Sequence, residues 1–374
     1  MAYPILQFGT SRFLQAHADL FVSEALACGQ ALGRITVVQG SANPDSLRRV
    51  QAFNQPGGFP VRVRGWRDGV AVDREQRVES VGEALVAASD WALVRARVLG
   101  PVQVILSNTA DLGYRLDPAD HAGLLDGDIA PASFPAKLLV LLHARFRHGG
   151  AAPVTLLPCE LISRNGDVLR DVVVALAHAW LLDDAFIDYL RRDCVWVSSL
   201  VDRIVPEALE PLGAVAEPYA LWAIEAQPNM VLPCRHAAIV VTDQLERYER
   251  FKLFLLNLGH SYLVHCWRER GAPPGLTVLQ ALADAVIAAR LEAVWAEEVL
   301  PLFDALGDGA AARDYLVQVR ERFANPFLVH RLADIARNHG EKMQRRCGPV
   351  IALAEQLGLA LPQARLRAAL GSAT

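Results

Sequence analysis

The chain has 374 residues, of which 52% are hydrophobic and 21% are charged, and its formal net charge is −4. This length predicts two domains with separate cores, and the high apolar content argues against a disordered chain. The basic residues are scattered rather than gathered on one run, so nucleic-acid binding is not expected.

The six cysteines form no CxxC pair, which argues against a zinc ribbon or a disulfide framework, and no metal site is predicted. The N-terminal stretch has neither a basic region nor a long apolar run, and the apolar runs elsewhere are too short to cross a bilayer. We therefore expect a cytoplasmic protein with no membrane partner. The sequence does not indicate an oligomeric state.

Short apolar runs alternate with helical patterns in the first part of the chain. The runs cover residues 5–8, 34–38, 102–106 and 154–157. Continuous stretches of β-branched residues and leucine are typical of strands that are buried on both faces of a parallel sheet. Residues 12–31 have apolar positions near helical spacing. A strand–helix–strand unit is therefore predicted at the start of the chain.

From about residue 244 the apolar positions follow long helical periods. The predicted helices are 244–270, 275–303, 310–323, 327–338 and 347–357. The predicted fold class is therefore α/β, with a modified Rossmann domain over residues 1–243 followed by an all-helical domain over residues 244–374.

The turn after the first strand is where a Rossmann fold binds the pyrophosphate of a dinucleotide. Gly9 begins this turn, and the helix that follows would offer free main-chain amides to an anion. Only one glycine of the GxGxxG pattern is present, so these residues alone favour an ordinary strand–helix turn. The second strand ends at Gln39, where NAD enzymes usually have an acid. Its absence weakens the case for strict NAD use, and Arg48 nearby is either a 2′-phosphate ligand or a solvated helix residue.

Three polar residues interrupt the apolar segment 251–261: Lys252, Asn257 and His260. In a regular α-helix they fall within an arc of about 140°, so they can face one pocket. A lysine whose pKa is lowered by burial can donate a proton, and an asparagine amide can stabilise an oxyanion. A histidine can hold a neighbouring hydroxyl. The alternative is that each side chain is satisfied locally, and the spacing alone favours that alternative.

The spacing of Lys252, Asn257 and His260 resembles the catalytic pattern of the long-chain polyol dehydrogenases, the mannitol dehydrogenase family. The segments that resemble the family in the same order are 6–9, 13–14, 107–109, 133–138, 157–161, 165–166, 200–206, 217–218, 221–222, 322–327, 330, 334–336, 338 and 342. Several of them resemble the tagaturonate reductase (altronate oxidoreductase) branch in particular. The resemblance implies zinc-independent hydride transfer between a nicotinamide cofactor and a small sugar or sugar-acid substrate. The implied cofactor is NAD, and NADP is possible.

The resemblance also implies roles for single residues. Lys252 would be the general acid and base, Asn257 an oxyanion donor, and His260 a contact for a substrate hydroxyl. Residues expected to bind the substrate are Asp202, Arg203 and Lys342. The alternatives are an ion pair or a cap for Asp202, and a solvated helix position for Lys342. Residues expected to bind the dinucleotide are Phe8, Gly9, Ser11, Arg12, Phe13, Gln39, Asn108 and Thr109.

One departure is Leu161, which stands where mannitol dehydrogenases have an oxyanion-hole asparagine. This argues against a plain mannitol dehydrogenase. We predict an NAD(P)-dependent oxidoreductase that reversibly reduces a keto sugar acid of the tagaturonate or fructuronate type, with a lysine as general acid/base. One alternative is a dehydrogenase for a polyol or polyol phosphate. Another is a nicotinamide-binding sensor without catalysis, against which the presence of Lys252 and Asn257 argues.

Overall fold

The computed structural model describes residues 3–40, 44–109, 113–149 and 153–372. The Cα packing divides the chain into two compact units. Unit 1 comprises Met1–Arg62, Glu75–Ala216 and Ala220–Leu245, and unit 2 comprises Val63–Arg74, Glu217–Tyr219 and Glu246–Thr374. A domain boundary near residue 243 remains a proposal.

The strands of the chain are β1 (Ile5–Phe8), β2 (Ile35–Gln39), β3 (Phe59–Arg67), β4 (Val70–Val78), β5 (Val81–Val86), β6 (Val104–Ser107), β7 (Thr155–Pro158), β8 (Val195–Trp196), β9 (Ser199–Asp202), β10 (Glu207–Ala208), β11 (Ala214–Ala216), β12 (Leu221–Glu225) and β13 (Ile239–Thr242). The helices before residue 200 are α1 (Arg12–Leu14), α2 (Leu20–Ala27), α3 (Pro44–Phe53), α4 (Ala87–Val98), α5 (Phe134–Arg147), α6 (Asn165–Ala179) and α7 (Asp184–Arg192). A π-helical segment, Gln15–Asp19, joins α1 to α2, and Ala122–Leu124 form a 3₁₀ turn.

Unit 1 contains a six-stranded sheet in the order β5-β2-β1-β6-β7-β8. All of its neighbouring strands are parallel. The central strands β1, β2, β6 and β7 are buried along their whole length, as their continuous apolar runs predict. The strand order reverses at β1, which lies between β2 and β6. Ligands of open α/β sheets bind at such a reversal, beyond the carboxyl ends of the strands.

The core of unit 1 forms where helices cover this sheet. Trp91 of α4, Leu139 of α5 and Phe186 of α7 are among its fully buried members, together with Leu6 and Ile105 from the strands. Each such side chain stabilises the fold by about 1.5–3 kcal/mol through the apolar surface that it removes from water. The core therefore holds the carboxyl ends of β1, β2 and β6 in fixed positions.

Two smaller sheets have the orders β10-β11-β3-β4 and β13-β12-β9, and their strands were not predicted. The side chains of β4 are mostly exposed, and β10 has only two residues. Such strands lack the apolar runs on which the sequence prediction depended. The division between the units falls within β3 and within β4.

The remaining helices are α8 (Leu245–Arg250), α9 (Leu258–Glu269), α10 (Val278–Leu282), α11 (Ala285–Ala293), α12 (Leu300–Ala305), α13 (Gly309–Phe323), α14 (Leu332–Ile335), α15 (His339–Gln356) and α16 (Ala364–Gly371). Two π-helical segments, Phe251–Asn257 and Val294–Val299, join α8 to α9 and α11 to α12. Residues 258–267 of α9 are all buried, so this helix forms the centre of the unit 2 core. No helix in the described part of the chain is both long and apolar enough to cross a membrane.

Three of the helix predictions were wrong in part. The helix expected over 275–303 is interrupted, and Asp284 caps a new helix by accepting hydrogen bonds from the amides of Val286 and Ile287. Only Leu332–Ile335 is helical within 327–338, because Arg331 pairs instead with Thr277 in an isolated β-bridge. The helix expected over 347–357 begins earlier, after Asn338 in a left-handed conformation.

Candidate active site

Gly9 lies at the reversal point of the large sheet. Its φ is +121°, and a Cβ atom there would lie 2.7 Å from the main-chain oxygen of Asn108. The amide of Gly9 donates to Val38 O at 3.1 Å, and the amide of Asn108 donates to Phe8 O at 3.0 Å. A side chain at residue 9 would therefore clash with the neighbouring strand, and only glycine adopts this backbone without strain.

A cavity of about 660 Å³ opens beside this turn. The residues that line it are Phe8, Gly9, Thr10, Ser11, Gln39, Gly40, Ser46, Arg49, Asn108, Thr109, Gly113, Arg115, Leu116, Asp117, Pro118, Ala132, Ser133, Phe134 and Lys137. They include most of the residues predicted to bind a dinucleotide. Arg12 and Phe13 are not among them, since Arg12 is exposed and the ring of Phe13 stacks on His17.

Hydrogen bonds fix the polar groups at this end of the sheet. The hydroxyl of Ser11 accepts from the amide of Leu14 and so caps α1. It also lies 3.3 Å from Oδ1 of Asn108, to which it donates. The amide group of Asn108 donates in turn to Cys159 O at 2.8 Å. The turn and the strand that follows are therefore held in register by side chains as well as by the sheet.

Glu160 is buried beneath the segment that follows β6. Its carboxylate accepts from Ser107 Oγ at 3.0 Å, from the amide and hydroxyl of Thr109 at 3.0 and 2.9 Å, and from Tyr114 OH at 3.1 Å. Burial raises the pKa of this carboxyl, although the hydrogen bonds from Thr109 and Ser107 act in the opposite direction. Glu160 belongs to segment 157–161, which resembles the family, and no role was predicted for it.

The cavity of unit 1 fits a nicotinamide dinucleotide. Gly9 leaves the space that a Cβ would fill, and hydroxyl and amide side chains surround that space at the carboxyl ends of parallel strands. This is the position and chemistry with which α/β sheets bind a pyrophosphate and its two nucleosides. Gly9, Ser11, Gln39, Asn108 and Thr109 are the predicted residues that would hold it.

In unit 2 the π-helical segment changes the geometry predicted for the polar helix. The amide of Leu258 donates to Leu253 O, five residues before it. Because π-helical hydrogen bonds join residues five apart, Lys252 and Asn257 lie one turn apart on the same face. A regular α-helix would place them about 140° apart. Both side chains are half-buried, and π-bulges of this kind are frequent at functional sites.

His260 is buried in α9, one turn after Asn257. Its ring lies 4.4 Å from the ring of Phe323 and 4.7 Å from that of His330, measured between centroids. Its Nε2 has no hydrogen-bond partner among the described residues. Burial, reinforced by the charges of His330 and Arg346, holds the pKa of His260 well below its usual value. The ring is therefore neutral at neutral pH.

Two cations lie on α15 close to this histidine. Lys342 Nζ donates to Ile335 O at 2.9 Å. Arg346 Nη1 donates to Asn257 O at 3.1 Å and to Ser261 Oγ at 2.8 Å. Burial lowers the pKa of Arg346 to about 10 and also lowers the pKa of Lys342. All of these hydrogen bonds go to neutral oxygens.

Neither Lys342 nor Arg346 forms an ion pair with a carboxylate that the structure describes. Within the described ranges no carboxylate lies within 4.0 Å of either side chain. Arg345, next to Arg346, is exposed and lies 3.6 Å from Glu341. Arg322, whose charge also acts on His260, forms a fully buried ion pair with Glu217 at 2.8 Å.

The other predicted substrate residues belong to unit 1. Asp202 ends β9, where it pairs with Leu221 of β12, and it is buried. Arg203 is also buried and donates to the main-chain oxygen of Ala16. Their assignment to the substrate remains a prediction.

Leu161 is exposed over 66% of its surface, and its apolar side chain offers no hydrogen bond to an oxyanion. The amide nitrogen of Asn165 does not replace the missing donor. It donates to the main-chain oxygens of Pro158, Glu160 and Ser199.

No group of three or more histidine, cysteine or acidic side chains in the described part of the chain is placed to hold a metal ion.

Comparison with known proteins decides the family. The Mannitol dehydrogenase Rossmann domain matches residues 74–232, and the Mannitol dehydrogenase C-terminal domain matches residues 244–371. The altronate oxidoreductase of Halalkalibacterium halodurans is 31% identical over 92% of this chain and 69% of its own length. That of Escherichia coli is 30% identical over 99% of this chain and 79% of its own length. The chain belongs to the mannitol dehydrogenase family.

Solved structures share the fold of this mannitol dehydrogenase family member. A D-sorbitol dehydrogenase in substrate-free form is 20% identical and superposes with a TM-score of 0.85 over 100% of this chain and 80% of its own. The ternary complex of Pseudomonas fluorescens mannitol 2-dehydrogenase with NAD and D-mannitol is 19% identical, with a TM-score of 0.76 over 100% of this chain and 79% of its own. The predicted family, its α/β fold and its helical C-terminal part are thus confirmed, and the chain is an oxidoreductase of that family.

Sequence reasoning missed several residues of this family member's candidate site. Thr10, Ser46 and Arg49 line the cavity of unit 1, and Arg346 lies beside His260. Helical spacing carried a signal for two of them. Ser46 and Arg49 are three apart in α3, so they share a face. Arg346 carried no such signal, because it lies in a stretch of alternating charges that resembles a solvated surface.

Proposed function

We propose that this protein reversibly reduces the keto group of a hexuronate-type sugar acid, with NADH or NADPH as the hydride donor. The observation that carries the proposal is the pair of unneutralised cations, Lys342 and Arg346, beside the buried His260. Partly buried charges are costly unless an opposite charge compensates them. A substrate carboxylate provides that charge, whereas a neutral polyol does not.

The relatives support the same substrate class. Two relatives of about 30% identity over most of this chain are named altronate oxidoreductases, a name that refers to a sugar acid. Leu161 also stands where mannitol dehydrogenases have an oxyanion-hole asparagine. In this residue the chain differs from those enzymes, which act on neutral polyols. Both points favour an acidic substrate over mannitol or sorbitol.

Lys252 is the proposed proton donor for ketone reduction. A nicotinamide dinucleotide bound in the unit 1 cavity would supply the hydride to the carbonyl carbon. As that carbon accepts the electron pair, the ketone oxygen gains negative charge, and Lys252 gives it a proton to form the alcohol. The Asn257 amide donates a hydrogen bond to the same oxygen. The two side chains suit one oxygen because the π-helical turn places them on one face.

His260 and the two cations are the proposed binding groups for the rest of the substrate. The neutral ring of His260 offers one nitrogen to a substrate hydroxyl, which would satisfy the Nε2 atom that lacks a partner among the described residues. Lys342 and Arg346 bind the carboxylate through charge-assisted hydrogen bonds. In the reverse direction Lys252, in its neutral form, takes the proton of the alcohol.

The test is an absorbance assay of reduced-dinucleotide oxidation, with NADH and NADPH run separately. The substrates are tagaturonate, fructuronate, fructose and fructose 6-phosphate. We expect turnover with one or both keto acids and at least a hundredfold lower kcat/KM with fructose, since about 2–3 kcal/mol separates a paired from an unpaired carboxylate site. Equal or faster turnover of fructose or its phosphate would contradict the proposal and favour a polyol or polyol-phosphate dehydrogenase.

A further inference from the structure

The carboxyl end of β2 has an unusual composition for an NAD site. In Rossmann folds an acid after the second strand binds the ribose hydroxyls of NAD, and its charge repels the 2′-phosphate of NADP. Residues 35–44 contain no aspartate or glutamate. The first acid beyond them, Asp45, forms an ion pair with Arg48 on the exposed face of α3. Nothing in this stretch of sequence therefore opposes a phosphate.

Arg49 lies about 100° further around the same helix and lines the cavity. Its Nε donates to Thr10 Oγ1 at 3.3 Å, and its Nη2 donates to Ser46 Oγ at 3.1 Å. Thr10 donates in turn to Oε1 of Gln39, the last residue of β2. Two hydroxyls of the cavity wall thus hold the guanidinium of Arg49 beside the end of this strand, and Gln39 holds one of them.

The guanidinium of Arg49 has capacity for an anion. Its bonds to Thr10 and Ser46 use two of its five N–H donors. No carboxylate within the described ranges lies within ion-pair distance of it. An arginine of this kind, half-buried and next to two hydroxyls, matches the geometry of a phosphate monoester, which accepts paired hydrogen bonds from a planar fork.

We propose that Arg49, positioned by the hydroxyls of Thr10 and Ser46, binds the 2′-phosphate of NADP(H), so that this cavity binds NADP(H) at least as tightly as NAD(H). The inference rests on the proposed function, because it places the adenosine ribose at the end of β2. The proposal replaces Arg48, which the sequence analysis gave as a candidate ligand of the 2′-phosphate, with Arg49. Arg48, the candidate found there, is exposed and paired with Asp45, so its alternative reading as a solvated helix residue is the one that fits.

The test measures dinucleotide binding by calorimetry without any substrate. The ligands are NADPH, NADH, 2′-phospho-ADP-ribose and ADP-ribose, and the proteins are the wild type, Arg49→Met, Arg49→Lys and Arg48→Met. We expect the wild type to bind NADPH with a Kd no larger than that of NADH. Arg49→Met should raise the Kd of both 2′-phosphorylated ligands about ten- to a hundredfold and change the others less than about threefold. Arg48→Met should behave as the wild type.

Arg49→Lys keeps the charge but loses the planar fork, so we expect it to recover part of the NADPH affinity. Wild-type protein that binds NADH ten times more tightly than NADPH would overturn the inference and leave the proposed function intact. Equal weakening of all four ligands in Arg49→Met, with the unfolding midpoint unchanged, would also overturn it. Binding of none of the four to the wild type would count against the proposed function itself.

Discussion

The cavity of unit 1 is lined mainly by neutral hydrogen-bonding groups, whereas the polar cluster of unit 2 gathers cations around a buried histidine. In unit 1 the groups satisfy one another, as Thr10 and Gln39 do, or Ser11 and Asn108. In unit 2 the Nε2 atom of His260 has no partner in the described part of the chain. The neutral groups of the unit 1 cavity are therefore largely paired with one another, whereas the unit 2 cluster contains a buried nitrogen that a ligand can satisfy.

This difference has an energetic consequence. Buried polar atoms without partners and charges without counter-ions cost free energy in the folded protein. Such groups are retained where a ligand compensates them. Changes in the unit 2 cluster should therefore act on turnover and on substrate binding. Changes in the unit 1 cavity should act on dinucleotide affinity and on stability. The predictions below test this separation.

The largest effect is expected for Lys252→Met. Loss of the proton donor should lower kcat about 10²- to 10⁴-fold, because general acid catalysis contributes that much to such reactions. NADH affinity, measured by calorimetry, should change less than about twofold, since the dinucleotide is assigned to unit 1. A variant that keeps full turnover at neutral pH would remove the lysine from the mechanism.

The next effect concerns the charge of the unit 2 cluster. Lys342→Met and Arg346→Met should each raise the KM for tagaturonate about ten- to a hundredfold, the value of a charge-assisted hydrogen bond. The matched control is Arg345→Met, because Arg345 is adjacent but exposed and near Glu341. If the control raises KM as much as the two variants do, the effect is one of general surface charge, and the assigned carboxylate site is wrong.

The core of the fold was largely predictable from the sequence, and the reason is visible in single strands. The runs that became β1, β2, β6 and β7 are apolar throughout, because both faces of these strands are buried. The edge strand β4 has the opposite character, with charged and exposed side chains. Its neighbour in the sheet is β3, from which only Asp68 and Gly69 separate it, so the pairing is local. An Asp-Gly pair between two strands favours a hairpin turn, but the prediction depended on apolar runs and did not use that pattern.

The site was predictable to the extent that its chemistry follows from residue type and spacing. Lys252, Asn257 and His260 were found from one segment, but the π-helical turn that brings the first two together was not, since helical periodicity assumes a regular helix. Arg48 was predicted as a possible ligand of a 2′-phosphate, but it is Arg49 that lines the cavity. The two residues differ only in the face of α3 that they occupy. Glu160 was not predicted, because its role depends on four hydrogen-bond donors that only the folded chain brings together.

Glu160→Gln tests the unit 1 side of the comparison. The amide keeps the shape of the side chain but loses the charge that four donors share. We expect the free energy of unfolding to fall by about 1–3 kcal/mol, and the Kd of the dinucleotide to rise a few-fold, because Thr109, which Glu160 holds, lines the cavity. Ser107→Ala, which removes one of the four bonds, should have a smaller effect on both.

Chemical denaturation and calorimetry on the same samples measure both quantities for Glu160→Gln. The KM for tagaturonate at saturating dinucleotide should stay within about twofold of the wild type, since that KM is assigned to unit 2. A large change in this KM with no change in dinucleotide affinity would mean that the two sites are not separable in the way proposed.

The smallest effect is a pH dependence of substrate binding. Burial, followed by the charges of Arg346 and Arg337, lowers the pKa of Lys342 below that of an ordinary lysine. Only the protonated amine binds a carboxylate, so the KM for tagaturonate should rise at alkaline pH, whereas the KM for any neutral ketose that is turned over should not. In Lys342→Met the contribution of Lys342 to this rise should be lost, which leaves the titration of Arg346, whose pKa burial lowers to about 10. An identical rise in wild type and variant would assign the titration to another group, and a KM for tagaturonate that does not rise anywhere in the alkaline range would contradict the assignment of the carboxylate to Lys342.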